Sequence, residues 1–395
     1  MRLLLPLFCG AISMASALDI QIDYTYDTNN FFDTSEKRNA IETVAKFYGD
    51  LLQDNLLRID SSEFSASSTW NASISEPSSG NLIGLGDLII PEDTIIIFVG
   101  SRDLGGFIRG RGGPGGLAQG TSGSTSWITR IIGRGQAGVQ RSAPETSTDV
   151  SLWGGTIAFD DDSTWNFSLE QNQSGVEFVR VALHEMGHVL GIGASNSWRN
   201  LLLDGKFTGP AATAANGGTA PPADTGHFLT SLTSPHYGSF GATHGQSRPV
   251  IMLASSTDDN NNFDVLTDLD LAALIDIGWE VSIPATLDTI TLSPSSSNFS
   301  WPSSSFCDYQ IIRSTDLQTP TGSSSVFTGN GGFQSWSDPS PNATQAFYQL
   351  QVTNNTPRPK PNLSITTADS ESEEPESIEI APSFTTGCYC EEHSK

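Results

Sequence analysis

The run VALHEMGHVLGIG, Val181 to Gly193, constrains this chain more than any other stretch. Residues four apart on an α-helix lie one turn above each other, so His184 and His188 can direct both imidazoles at one metal ion while Glu185 faces a water beside it. Val176, Val179, Leu183, Met186, Val189 and Leu190 recur at helical spacing, which buries one face and turns the histidines in another direction. Gly191 and Gly193 stand where the helix should stop, because glycine enters the left-handed region without a Cβ penalty. The pattern predicts an internal helix with a polar face, ending in a sharp turn just past the second histidine. Mere surface polarity leaves unexplained why two of only six histidines fall at ligand spacing on an apolar helix.

HEMGHVLGIG resembles the zinc helix of the metzincin metallopeptidases, whose pattern continues with a glycine and, three residues later, a third histidine. Gly191 occupies the glycine position, but Ala194 stands where the third histidine would be. A catalytic zinc takes three protein ligands, so the missing one must come from elsewhere. The chain is similar to the leishmanolysin-like branch and to a group of exported bacterial metallopeptidases, in which an insertion after the glycine turn displaces that histidine. SWRNLLLDGKFTGPAATAANGG resembles the insertion, and DTGHF resembles the segment that returns the ligand, which makes His227 the first candidate. His236 in SPHYG and His244 in ATHGQ lie in the same polar loop and stay open as alternatives. The resemblance implies Zn2+ held by His184, His188 and His227, with protein or peptide substrates.

Other segments fit the same family. Met252 in RPVIMLASS is similar to the methionine turn beneath the metzincin zinc. LTDLDLAALIDIGW opens with Thr267 and has Asp270 three residues on, close to a capping box, with Leu269, Ala272, Ala273 and Ile277 at helical spacing. It resembles the terminal helix of the catalytic domain. Trp153 to Phe159 reads as extended and resembles the metzincin edge strand, which takes a peptide substrate as a further strand. Asp160, Asp161 and Asp162 follow it; clustered carboxylates suit Ca2+, and matrix-type metzincins carry a similar acidic run, but a solvated acidic turn is the simpler reading of them. The glycine-rich stretch Gly105 to Gly116 lacks the Gly-Lys-Ser/Thr ending of a phosphate loop and reads as a mobile surface loop. A Gly-x-Ser-x-Gly elbow for a serine hydrolase is missing.

Arg2, then LLLPLFCGAI, then Ala15-Ser16-Ala17 match the basic region, apolar core and small-residue cleavage site of a signal peptide. Residues 1–17 are therefore expected to leave, giving a secreted, extracellular chain that begins near Leu18. No later segment reaches the roughly 18 continuous apolar residues of a membrane span, so no membrane anchor is expected. The formal charge of -25 becomes -26 once Arg2 is lost, which disfavours nucleic acid as a partner. Cys9 leaves with the leader, and Cys307, Cys388 and Cys390 remain, an odd number without a dense disulfide framework. LDIQIDYTY should start the fold directly, so no N-terminal prosegment is expected.

Ile20, Ile22 and Tyr24 alternate with polar residues as a first strand. Asp33 and Glu36 begin a helix with an apolar stripe at Ile41, Val44, Tyr48 and Leu51, and TIIIFVG from Thr94 is an interior strand. The expected class is α+β: a zincin-type catalytic domain over 18–281, with a mixed twisted sheet, a zinc helix and a cleft. Short aromatic and β-branched runs between turns predict a small all-β sandwich module over 283–352, whose target is open. Residues 353–395, with ESEEPESIE, read as a disordered acidic tail. Its Cys388, Cys390 and His393 are weak grounds for a metal. The function this implies is zinc-dependent peptide-bond hydrolysis with Glu185 as general base. The alternative is a catalytically silent binding or adhesion protein on a zincin scaffold; Ala194 speaks for it, and the intact Glu185 against it.

Overall fold

The computed structural model describes residues 17–139, 149–168, 175–229, 231–235, 247–254, 266–283, 289–293, 296–315, 319–339 and 346–354. The leader, the acidic tail with Cys388, Cys390 and His393, and the segments holding His236 and His244 lie outside them. The chain opens with β1 (Asp19–Asp23) and α1 (Ser35–Leu51), then runs through the hairpin β2 (Asn71–Ser75) and β3 (Leu82–Gly86) into β4 (Thr94–Arg102). β5 (Gly110–Pro114), β6 (Gly116–Leu117) and α2 (Thr125–Gly133) follow. Next come β7 (Gly154–Asp160), the short pair β8 (Trp165–Asn166) and β9 (Val176–Glu177), and α3 (Phe178–Val189). Thr34 caps α1 by accepting from Lys37 N, and the predicted stripe Ile41, Val44, Tyr48 and Leu51 is buried.

The central sheet has the order β1-β4-β7-β5, with β1, β4 and β7 parallel and β5 antiparallel at the end. Side chains of a strand alternate between faces, and β4 divides accordingly. Ile95, Ile97 and Val99 enter the core shared with α1 and α3, whereas Ile96 and Phe98 pack with Trp70, Trp127 and Trp153 against β2 and α2 on the other face. This second core is closed by Arg134, which caps α2 in the left-handed conformation (φ 44°) and is fully buried. Its guanidinium donates to the carbonyls of Leu57, Pro91, Thr94 and Leu152, so four of the five N–H donors of this buried charge are satisfied.

Two sequence expectations change here. The extended segment after Trp153 is β7, and it lies inside the sheet between β4 and β5 rather than at its edge. Its nearly continuous burial is that of a strand covered on both faces. The glycine-rich stretch contains the true edge strand, β5, and is not simply a surface loop. β5 passes directly over α3: a Cβ on Gly110 would lie 2.6 Å from Glu185 Cγ, and one on Gly112 would overlap the Glu185 carbonyl oxygen. Glycine is required there by the close approach of strand and helix.

Beyond α3 come α4 (Asn196–Asn200), the pair β10 (Leu202–Leu203) and β11 (Lys206–Phe207), α5 (Pro210–Ala215), the pair β12 (Thr233–Pro235) and β13 (Ser247–Pro249), and α6 (Asp268–Ile277). Thr267 and Asp270 form a complete capping box at the start of α6. The remaining strands are β14 (Thr289–Ser293), β15 (Ser296–Pro302), β16 (Cys307–Ser314), β17 (Pro320–Ser323), β18 (Phe327–Thr328), β19 (Phe333–Ser337) and β20 (Phe347–Asn354). All their pairings are antiparallel: β14-β15-β19 is one sheet, and β16 pairs with β17, β18 and β20 in another. Phe299, Trp301, Tyr309 and Ile311 from this region are continuous with the main core, and Ser304 Oγ donates to buried Asp268 at the start of α6 (2.7 Å). Among the described residues no helix is long and apolar enough to cross a membrane.

Candidate metal centre

α3 is buried on nearly its whole surface, so its polar residues are enclosed as well: His184 is 3% exposed, and Glu185 and His188 are fully buried. His184 Nδ1 lies 2.7 Å from the Ile251 carbonyl oxygen, and His188 Nδ1 lies 2.8 Å from that of Ile192. A carbonyl only accepts, so each Nδ1 carries the proton and each neutral ring presents a bare Nε2 lone pair. Gly191 (φ 107°) turns the chain after α3 and brings Ile192 back under the helix, where its N–H donates to Gly187 O. Gly187 in turn leaves room for Met252, whose Sδ a Cβ there would strike.

The chain then leaves the centre for more than thirty residues and comes back at His227. Both ends of this insertion meet, since a Cβ on Gly193 (φ 69°) would overlap the Gly226 carbonyl oxygen. Asp224 Oδ1 accepts from Gly226 N and His227 N, both at 2.8 Å, which shapes the turn that presents the imidazole. Phe228 N donates to Met252 O (2.9 Å), fastening that turn to the segment whose preceding carbonyl holds His184. The result brings three rings together. His188 Nε2 lies 2.9 Å from His184 Nε2 and 3.2 Å from His227 Nε2. Among the described residues this is the one group of three or more His, Cys, Asp or Glu side chains gathered within metal-binding reach.

Burial is the main force acting on these rings. It holds His184 well below its ordinary pKa, lowers His188 to about 3 and lowers His227, with the neighbouring histidines adding to the effect at the first two. All three are therefore neutral near pH 7. With the Nδ1 protons of His184 and His188 committed to carbonyls, no proton is available to bridge their Nε2 atoms, and the lone pairs face each other. A cation between them removes that repulsion. The spacing is close to the roughly 3.3 Å that nitrogen ligands about 2.0–2.1 Å from a tetrahedral zinc would show. The donor set thus fits zinc on geometry, softness and protonation state.

Glu185 sits beside them with neither carboxylate oxygen hydrogen-bonded. Burial raises it to about 8, against the opposing electrostatic pull of the nearby Gly112 amide and Arg111 guanidinium, neither of which meets it at hydrogen-bonding geometry. An unpartnered buried carboxylate is costly, and such groups are kept where a reaction uses them. One layer out, Asp270 accepts from Ile251 N and Met252 N (both 3.1 Å) and from both donors of Thr267. The same two-residue segment therefore receives His184 on one carbonyl and Phe228 on the next.

Sequence reasoning overlooked Gly110, Gly112, Asp224 and Asp270 as parts of this centre. Glycine density before a strand, and an aspartate three residues ahead of a candidate ligand, were the readable signals. The three aspartates at the end of β7, Asp160, Asp161 and Asp162, do not gather as a ligand set. Asp160 is buried and its carboxylate is already taken by Leu104 N (3.1 Å), Ser163 Oγ (2.5 Å) and Arg109, while Asp161 is exposed. The expected Ca2+ thus gains no support.

A family profile described as Matrixin matches residues 136–205, which hold β7 and α3. Matrix metalloproteinase-2 of Drosophila melanogaster is 54% identical over 43 residues, 11% of this chain and 6% of that protein. The chain thus spans only a small part of that relative's length. No solved structure matches. Taken with the three gathered histidines, these matches support a zinc metallopeptidase of the metzincin type, and a mixed α+β catalytic region compatible with it.

Proposed function

We propose that this chain is a secreted zinc-dependent endopeptidase, with His184, His188 and His227 as the metal ligands and Glu185 as the general base. The observation that carries the reading is the convergence of three neutral imidazole Nε2 atoms next to an unpartnered buried carboxylate. A zinc ion held there supplies Lewis acidity, sufficient to polarise a peptide carbonyl and to make water nucleophilic at neutral pH. Glu185, kept ionised by that nearby charge, accepts the proton of the attacking water on a carboxylate oxygen and hands it to the leaving amine. The backbone of β5, at the end of the sheet and over Glu185, takes the substrate as an added antiparallel strand. Residues 283–352 serve as an accessory β-module, and residues 1–17 as the export leader. A silent scaffold has no use for the buried charge of Glu185, which favours the enzyme.

Zinc content and chelator-sensitive cleavage of a disordered protein test this together with Glu185→Ala. The expected outcome is about one zinc per chain in both proteins and cleavage slowed by about 10²–10⁴ in the variant. Cleavage that survives in the variant sinks the mechanism, and a wild-type chain without zinc sinks the metal reading.

A further inference from the structure

His227 reaches the centre from an insertion whose Trp198, Phe207 and Phe228 pack into the main core, so the position of this ring depends on what holds the insertion there. Trp198 stacks on Phe207 (centroids 4.2 Å apart) and meets Phe228 edge-on. Trp198 Nε1 also donates to the Asp224 carbonyl (3.1 Å), and the Asp224 carboxylate receives the amides of Gly226 and His227. These bonds link the core to the backbone amide of His227, the residue that carries the ring.

The middle of the insertion is tied to α6. α5 starts at Gly209 and Pro210 with no side-chain cap of its own. Asp276, on α6, supplies one: Oδ1 accepts from Ala211 N (2.9 Å) and Oδ2 from Ala212 N (2.8 Å). Gly209 is glycine because a Cβ there would overlap the Asp276 carboxylate. Two of the four orphan amides of a helix start are thus satisfied from a different element, and the fork also fixes where α5 sits. α5 carries buried Ala211 and Ala212 into the same core, a few residues beyond Phe207. Asp276 lies 49 positions from His227 in sequence and touches no ligand.

We infer that Asp276 is a positioning residue for His227, acting through α5, Trp198 and Asp224 to hold the third imidazole against His184 and His188. The inference rests on the reading of His227 as a ligand. His184 and His188 are oriented by the carbonyls of Ile251 and Ile192, not by α5, so the fork of Asp276 bears on His227.

The test is zinc affinity, measured by competition with a chromophoric chelator on the full chain, for wild type, Asp276→Asn, Trp198→Phe, His227→Ala and the two double variants with His227→Ala. Asparagine keeps the shape but turns one acceptor into a donor facing an amide. Phenylalanine keeps the stacking on Phe207 but loses the bond to Asp224. Each single change should weaken zinc binding about 10- to 100-fold, the usual size for a residue that orients a metal ligand without touching the metal, and should have no further effect once His227 is alanine. Unchanged affinity in Asp276→Asn, or the same weakening with and without His227, overturns the inference. A wild-type chain that binds no zinc overturns the metal reading itself, which separates the two failures.

Discussion

Gly110 and Glu185 occupy the same space to within a single carbon atom: the Cβ that alanine would add lies 2.6 Å from Glu185 Cγ and 2.7 Å from its Oε1. The edge strand and the Glu185 carboxylate are therefore fitted to each other. Gly110→Ala should displace the carboxylate, lowering turnover by about tenfold or more while zinc stays bound, at a stability cost of about 1–3 kcal/mol from overpacking. Gly112→Ala meets backbone instead, which cannot rotate away, so it should destabilise more than Gly110→Ala. Equal turnover in Gly110→Ala and wild type, measured at saturating zinc, would contradict this fit.

The identity of the third ligand is open to a direct comparison. Zinc retained after exhaustive dialysis should fall sharply in His227→Ala and stay near wild type in His236→Ala and His244→Ala. Loss confined to either of the latter two would transfer the role away from His227.

Stability should depend on pH through Asp268. Burial raises its carboxyl to about 7, with the Ser304 hydrogen bond opposing. The folded state thus prefers the protonated form more than the unfolded chain does. Its contribution is fully present below the unfolded value near 4 and is lost as pH rises toward 7, by an amount on the order of a few kcal/mol. In urea titrations with chelator present, wild type should lose more stability between pH 4.5 and 8 than Asp268→Asn. Parallel curves for the two proteins would refute the assignment.

How much of this was readable in the sequence follows from how local each signal is. The helix with His184 and His188, the turn at Gly191, and the Thr267–Asp270 capping box depend on spacings of three or four residues, and the structure forms each of them where the pattern put it. The place of a strand within its sheet depends on partners far along the chain, which is why β7 read as an edge and proved interior. β5 carries no side-chain periodicity at all, since four of its five residues are glycine or proline and the close approach to α3 demands it. Ala194 signalled that a distant ligand was needed. Only the resemblance of DTGHF to a ligand-returning segment set His227 apart from His236 and His244, and the turn that Asp224 shapes there appears only once its amides are seen.

The protons on His184 and His188 are received by peptide carbonyls, those of Ile251 and Ile192, and not by side chains. Replacing either isoleucine changes packing but leaves the oxygen in place. The basicity of two rings in this centre is therefore written into the path of the main chain, out of reach of single amino-acid exchange. Divergence among proteins built this way can readily alter the glutamate, the edge or the third ring, while the electronic character of the first pair drifts only if the backbone itself is redrawn.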